Sequence, residues 1–180
     1  MKNTDHNRRS FTVAALAVLV AVAGSLACAP PAAAVDDGCS STGVARVHTV
    51  AVTGVNDIWQ GFFNTAMSRW NNAGVSASIT NKATSMNVAT AGSYSSLAWY
   101  GLYSPGYTIQ INAYTITRDA PSAYATNWYL STTTHEFGHA LSLYDDPVTT
   151  LTSLMKSSRD RSTVGSPTGY DTANVKACYA

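Results

Sequence analysis

His135-Glu136-Phe137-Gly138-His139 is the most informative stretch of this 180-residue chain, because it sets the only glutamate between two of the four histidines. On an α-helix, residues four positions apart lie on the same face, so His135 and His139 can direct ring nitrogens at one cation. Glu136 is then placed to hold a water on that cation and to accept its proton. The pattern predicts a zinc site with hydrolytic chemistry.

The residues around the two histidines favour a helix with one face in the core. The face opposite the histidines carries apolar side chains that can anchor the helix: Phe137, Ala140 and Leu141. Catalytic zinc usually has three protein ligands and one open coordination position. No second glutamate exists to serve as the third ligand, and His48 lies far upstream on a predicted strand, where packing is the commoner role. The pattern therefore leaves two candidates, Asp145 and Asp146.

The run from His135 to Asp145 resembles the metzincin signature H-E-x-x-H-x-x-G-x-x-H/D. Aspartate in the last place is similar to the small secreted snapalysin-like proteases, whereas matrixins have histidine there. The resemblance implies zinc bound by His135, His139 and Asp145, with Glu136 as the catalytic base. It also implies that the protein is a zinc metalloendopeptidase acting on a protein or peptide substrate.

Two further segments resemble the same family. Residues 152–156, Thr-Ser-Leu-Met-Lys, resemble a metzincin Met-turn, which implies a structural role for Met155 beneath the metal. Residues 167–179 resemble the closing helix of matrixins, with Asp171 near its cap. One departure concerns Ser142, which stands where the signature has glycine. A left-handed backbone costs a residue other than glycine roughly 1–2 kcal/mol, so Asp146 stays open as a substitute ligand.

The order of predicted elements indicates an α+β domain with one twisted mixed sheet, like that of metzincins. Runs rich in β-branched or alternating apolar residues predict strands over 44–53, 75–80, 86–90, 97–103 and 107–116. A helix is predicted after a cap at Asn56 or Asp57, and the metal-site helix is predicted from about Ser131. The first helix should pack on the sheet through one apolar face: Ile58, Phe62, Phe63, Ala66, Met67 and Trp70.

Residues 107–113 have the pattern expected of a strand to which a substrate could dock. They alternate apolar and polar side chains, and residues 109–112 resemble the edge strand of matrixins. An extended peptide can add to an exposed edge strand through backbone hydrogen bonds. The sequence therefore predicts that a peptide substrate pairs with this segment.

The first 34 residues have the composition of an export signal. A short basic segment precedes an uncharged apolar run over 11–27, and Ala32-Ala33-Ala34 fits a cleavage site. The basic segment also resembles a twin-arginine signal, and a retained membrane anchor is the less favoured alternative. We expect residues 35–180 to form one secreted metalloprotease domain.

Charge and cysteine content agree with an exported monomer. Residues 1–34 carry three of the 11 Lys+Arg and one of the 10 Asp+Glu, which leaves a formal charge of −1 on residues 35–180. Without a basic stripe, neither a nucleic-acid partner nor a stable membrane association is expected. Cys39 and Cys178 are the two cysteines beyond the signal, and in an oxidising compartment they should form a disulfide.

Two other functions are compatible with the motif. One is a secreted binding module that keeps a structural zinc site, and the other is a zinc hydrolase acting on bonds other than peptides. A closed structural site would need a fourth protein ligand, and no cysteine lies near the two histidines. Hydrolysis that depends on Glu136 would distinguish a hydrolase from a binding module.

Overall fold

A computed structural model describes Cys39, residues 46–104 and residues 108–180. The predicted export signal, residues 1–34, lies outside these described residues. Within them, none of the helices combines the length and the apolar character that crossing a membrane requires.

The described residues form a single five-stranded sheet with four α-helices, which confirms the predicted α+β class with one mixed sheet. The strands are β1 (Val47–Val52), β2 (Ser78–Asn81), β3 (Val88–Gly92), β4 (Gly101–Ser104) and β5 (Thr108–Asn112). The helices are α1 (Asp57–Asn71), α2 (Ala113–Asp119), α3 (Ala125–Ala140) and α4 (Gly169–Cys178). A short 3-10 turn, Ser122–Tyr124, joins α2 to α3.

The strand order across the sheet is β2-β1-β3-β5-β4. The first four strands in this order run parallel, whereas β4 pairs antiparallel with β5. Parallel neighbours need long connections, and α1 supplies the one between β1 and β2. β4 is the last strand on one side of the sheet, so in the described structure its outer edge is free to pair with another backbone.

The predicted strand over 107–116 is wrong in its second half. β5 ends at Asn112, whose buried side chain bonds the backbone of a neighbouring loop: Oδ1 accepts from the Tyr94 amide at 3.1 Å and Nδ2 donates to the Tyr94 carbonyl at 3.0 Å. The chain then turns directly into α2. The predicted docking edge over 107–113 is also wrong, since β5 is paired on both sides, with β3 and with β4.

Helix α1 follows its prediction closely and fixes the position of α3. Asn56 caps it by accepting a hydrogen bond from the Trp59 amide at 3.1 Å. Four of the six residues predicted on its core face are buried, whereas Phe62 is partly buried and Ile58 is 68% exposed: the buried four are Phe63, Ala66, Met67 and Trp70. At its other end, the buried Trp70 indole donates to the Thr134 carbonyl at 2.8 Å, which ties α1 to the turn of α3 just before the HExxH stretch.

The predicted disulfide between Cys39 and Cys178 is confirmed, with their Cα atoms 5.5 Å apart. It links residues 139 positions apart and joins the start of the described chain to the last turn of α4. Closing so long a loop restricts the unfolded chain strongly.

Removing this disulfide should lower the free energy of unfolding by about 5 kcal/mol in the chain-entropy model. The measurement is urea unfolding of the Cys39→Ser, Cys178→Ser double variant beside the oxidised protein. Reducing the unmodified protein serves as the control and should produce a similar loss. Equal midpoints for oxidised and double-variant protein would contradict the expectation.

Candidate metal centre

Helix α3 carries both histidines of the motif and begins at Ala125, six residues earlier than predicted. It ends at Ala140, and the chain reverses at Ser142, which has a φ of 71°. This is the left-handed backbone that the glycine of the signature would adopt at lower cost. Ser142 adopts this backbone despite its Cβ, and the chain returns Asp145 to the two histidines.

The side chains of His135, His139 and Asp145 converge on one point. Asp145 Oδ1 lies 3.0 Å from His135 Nε2 and 3.5 Å from His139 Nε2. The ligand atoms offered by the three residues all lie within 4.8 Å of one another. His135 is buried, His139 is partly buried and Asp145 is exposed, so the point of convergence opens to solvent on one side. These three residues could hold a metal ion.

Backbone carbonyls hold both imidazoles with their Nε2 atoms facing this point. His135 Nδ1 lies 2.9 Å from the Leu154 carbonyl oxygen, and His139 Nδ1 lies 2.8 Å from the Leu143 carbonyl oxygen. A carbonyl only accepts hydrogen bonds, so each Nδ1 carries the proton. Both neutral imidazoles then direct an Nε2 lone pair toward a carboxylate oxygen. Three acceptors facing one another require a cation between them, either a proton or a metal ion.

Asp146, the alternative third ligand, has a different role. Its Oδ1 accepts from the Ser157 amide at 2.6 Å, and its own amide donates to the Met155 carbonyl at 3.0 Å. The backbone of Asp146 is also left-handed, with a φ of 49°. The residue therefore joins two loops, and the structure brings Asp145 rather than Asp146 to the histidines. His48 is buried on β1 and does not belong to the cluster.

Glu136 lies beside the cluster, with its Oε1 3.9 Å from His135 Nε2. It is 4% exposed, and burial raises the pKa of its carboxyl to about 7. Gly101 on β4 makes this packing possible, because a Cβ at that position would collide with the Glu136 carboxylate. The side chain is therefore held between α3 and the edge strand, next to the metal-binding point and poised to exchange a proton near neutral pH.

The three converging side chains also have perturbed proton affinities. Burial lowers the pKa of His135 to about 4, against the opposing effect of Asp145. Burial also acts to lower the pKa of His139, but the Asp145 and Glu136 carboxylates outweigh it and raise that pKa above its usual value. Burial acts to raise the pKa of Asp145, yet hydrogen bonds with the two histidines leave it well below the normal range. In the metal-free site, the second proton is therefore bound more readily by His139 than by His135.

Met155 forms the floor beneath the metal-site helix. It is 1% exposed, and a Cβ added at Gly138 would collide with its sulfur atom. Close packing therefore requires glycine at position 138, because a side chain there would have to displace Met155. A thioether can adapt to such an irregular gap.

A buried carboxylate fixes the loop that orients His135. Asp171 Oδ2 accepts from the Leu154 amide at 2.9 Å, and its Oδ1 accepts from the Ser153 hydroxyl at 2.5 Å. Asp171 also forms a capping box with Thr168 at the start of α4. The Leu154 carbonyl that accepts a hydrogen bond from His135 Nδ1 is thereby linked to the last helix. Sequence reasoning placed Asp171 near the cap but missed its connection to the metal site.

The metal-binding point lies in an open cleft of about 630 Å³. The cleft is lined by the segment from Trp99 to Tyr103, which includes most of β4, and by Arg159 and Arg161. Neither Gly101 nor the two arginines was singled out from the sequence. A signal for the arginines existed, because Arg159-Asp160-Arg161 is the only run of three charged residues in a chain that is 12% charged.

Comparisons with known proteins give a similarity of fold. No family model matches the chain, and no curated protein matches it. Among solved structures, the chain is similar to one described as the GM1 bound form of the ECX AB5 holotoxin. The TM-score is 0.53 at 14% sequence identity, over 74% of this chain and 80% of that chain. At this identity the similarity concerns the fold.

The prediction that the protein is a secreted endopeptidase is wrong by this comparison. The structural neighbour belongs to a toxin assembly described with bound GM1, and this comparison favours the alternatives over peptide hydrolysis. The cluster of His135, His139 and Asp145 is compatible with either alternative, because a metal ion can serve binding or hydrolysis. The local chemistry of the site must therefore decide between them.

Metal binding should release protons between pH 5 and 8. In the metal-free protein, Glu136 has a pKa of about 7, and the nearby carboxylates raise the pKa of His139 and so favour its protonated form. A metal ion needs neutral His139 and favours ionised Glu136, so affinity should rise with pH as these protons become easier to remove. Calorimetric zinc titrations at pH 6.5, in buffers of different ionisation enthalpy, measure the number released.

Glu136→Gln is the matched variant for this measurement, since it removes one titrating group and keeps the shape of the side chain. It should release about one proton fewer than the unmodified protein. An unchanged proton count would show that Glu136 is already ionised before the metal binds.

Proposed function

We propose that the protein is a zinc-dependent hydrolase acting on a carbonyl bond other than a peptide, such as an ester. The observation that carries this proposal is the buried Glu136 carboxyl next to a three-residue metal site that opens into a cleft. Two imidazole nitrogens and one carboxylate oxygen form a ligand set typical of catalytic zinc. Such an ion, when bound, makes water more acidic and polarises a carbonyl.

The chain itself supplies the groups that move protons and hold the site rigid. Glu136 accepts a proton from the attacking water and returns it to the leaving group. Its neighbours exclude bulk water from one side of the carboxyl, because Gly101 allows β4 to pack directly against it. The Leu154 and Leu143 carbonyls keep the two imidazoles in the tautomer that can bind a metal.

A closed structural zinc site fits these residues less well. Structural zinc is usually held by four protein ligands. Within residues 46–104 and 108–180, the cluster contains three: His135, His139 and Asp145. The exposed side of Asp145 leaves room for an exchangeable ligand, which a purely structural ion does not need.

The second candidate is a binding module in which the ion holds a ligand without hydrolysing it. The observation that favours it is the fold shared with a chain of the holotoxin, whose structure is described in a GM1-bound form. In this case Glu136 would serve as a hydrogen-bonding group rather than as a base. Ligand binding that depends on the metal, with no turnover, is the result that would select this candidate.

We also propose that the protein is exported and that its metal site is arranged as in metzincins. The Cys39–Cys178 disulfide is consistent with an oxidising compartment outside the cytoplasm. The left-handed turn at Ser142, the convergence of Asp145 and the Met155 floor support the metzincin-like arrangement. We further propose that the exported domain acts as a monomer on its substrate.

Glu136→Gln should lower the rate of hydrolysis of p-nitrophenyl acetate by about 10²- to 10⁴-fold, because the variant cannot accept a proton. Its zinc content, measured by elemental analysis, should equal that of the unmodified protein. Removing zinc with a chelator should abolish the same activity, and restoring zinc should recover it. Ester hydrolysis that survives the substitution would overturn the hydrolase proposal.

A casein assay on the unmodified protein and Glu136→Gln tests whether the protein cleaves peptide bonds. No peptide cleavage is expected from either. Cleavage that zinc restores and Glu136→Gln abolishes would reverse the correction and return the function to peptide hydrolysis.

Gly101→Ala should displace the Glu136 carboxylate and reduce ester hydrolysis about tenfold or more, because small misplacements of a catalytic group are costly. Zinc affinity should change little, since the three ligands lie away from the new methyl group. Gly61→Ala is the matched control, because a Cβ at Gly61 meets no atom within 4 Å. Equal activity in both variants would show that Glu136 does not depend on the close packing of β4.

A further inference from the structure

Two arginines line the metal-site cleft without an acidic partner. Arg159 and Arg161 both face the cavity that contains the metal-binding point. In the part of the chain that the structure describes, the ion pairs within 4.0 Å involve Arg118 and the metal-site histidines, and neither cleft arginine is among them. Because the guanidinium group stays charged at neutral pH, the cleft wall carries two positive charges that no protein carboxylate neutralises directly.

Arg159 is held rigidly and almost fully buried. Its Nε donates to the Ser131 hydroxyl at 3.0 Å, and its Nη1 donates to the Lys156 carbonyl at 2.9 Å. The side chain is 8% exposed. Burial lowers the pKa of Arg159, and three carboxylates oppose this effect only through space: Glu136, Asp145 and Asp171. Because a buried charge without a direct counterion is costly, its position in the cleft wall favours a ligand that pairs with it.

Arg161 is positioned by aromatic stacking rather than by an ion pair. Its guanidinium carbon lies 4.6 Å from the centre of the Tyr100 ring and 5.5 Å from that of Trp128. Its Nε is buried and has no hydrogen-bond partner. The stacked guanidinium plane is therefore oriented in advance, and the partly exposed side chain lines the cleft, where its other N–H groups can donate to a ligand.

The charge balance of the cleft favours a ligand with one negative charge. Its ionisable lining residues, besides the histidines and the neutral tyrosines, are two arginines and three carboxylates: Arg159, Arg161, Glu136, Asp145 and Asp146. With a divalent ion bound and both histidines neutral, the positive charges exceed the negative charges by one. A single added carboxylate would neutralise the cleft.

We propose that Arg159 and Arg161 form a subsite for a carboxylate group of the substrate, next to the metal site. This inference rests on the proposed function, since it names the substrate class of the same cleft. The planar fork of arginine matches a carboxylate through paired hydrogen bonds. A phosphate group would bring a second negative charge toward Glu136 and Asp145, which makes it the poorer match. The substrate is thus an acidic molecule whose scissile bond lies at the metal and whose carboxylate lies at the arginines.

The test uses probes with one group for the metal and one for the arginines. The monohydroxamates of succinic, glutaric and adipic acid carry a metal-binding hydroxamate at one end and a carboxylate at the other. Their amide-ended analogues are matched neutral probes, and phosphonate-ended analogues test phosphate-like chemistry. Calorimetry of the zinc-loaded protein measures each dissociation constant without requiring turnover.

For at least one chain length, the carboxylate probe should bind about tenfold or more tightly than its amide analogue, as expected for a charge-assisted hydrogen bond. Arg161→Gln should remove most of this preference and leave binding of the amide probe unchanged. Arg159→Lys is the second variant and should reduce the preference while retaining the charge. Arg118→Gln is the control, because Arg118 is exposed and pairs with Asp119 outside the cleft.

Each outcome has a distinct meaning. Equal binding of carboxylate and amide probes at every length would overturn the subsite and leave the metal proposal intact. Preferential binding of the phosphonate would overturn the choice of a carboxylate. If no hydroxamate binds, the proposed zinc site is overturned, and the proposed carboxylate subsite is overturned too because it rests on that site. A loss of turnover in Arg161→Gln with an unchanged carboxylate preference would assign the arginine to Glu136 rather than to the substrate.

Discussion

The structure of the site depends on one electrostatic constraint, the convergence of three hydrogen-bond acceptors on a single point. The Leu154 and Leu143 carbonyls keep the Nδ1 protons of the two imidazoles, so both Nε2 lone pairs face the Asp145 carboxylate. Such an arrangement is stable only with positive charge at its centre. A proton on His139 can provide that charge at low pH, and a divalent metal ion provides it more completely.

The surrounding fold maintains this convergence from several directions. Trp70 fixes the turn of α3 before the first histidine, and Met155 supports the helix from below through its contact with Gly138. Asp171 links α4 to the loop that orients His135. Since α4 is also joined by the disulfide to Cys39, the two ends of the described chain both contribute to the rigidity of the site. This rigidity is what a preorganised metal site requires.

The sequence predicted those parts of the structure that local patterns determine. The spacing of His135 and His139, the cap at Asn56 and the pairing of Cys39 with Cys178 all depend on few residues, and the structure agrees with each. The α+β class also followed from the order of elements. The boundary between β5 and α2 was missed because the buried side chain of Asn112 ends the strand through tertiary hydrogen bonds that periodicity cannot reveal.

Contacts between distant segments explain why the sequence did not predict the remaining residues of the site. Gly101 contacts Glu136, which lies 35 positions away, and Arg161 stacks on Tyr100, which lies 61 positions away. Neither pair has a recognisable local signal in the sequence. The choice between Asp145 and Asp146 likewise required the backbone of the turn at Ser142. The function inferred by resemblance went further than the fold comparison allows, because motif and fold do not fix the substrate.

X-ray absorption spectroscopy at the zinc edge, on protein loaded with one equivalent of zinc, measures the coordination of the metal directly. We expect two imidazole nitrogens and one carboxylate oxygen from the protein, at about 2.0–2.2 Å, with an exchangeable oxygen completing the coordination. Asp145→Ala should remove one oxygen ligand and weaken binding. A fully closed set of four protein ligands, or an unchanged spectrum in Asp145→Ala, would contradict this expectation.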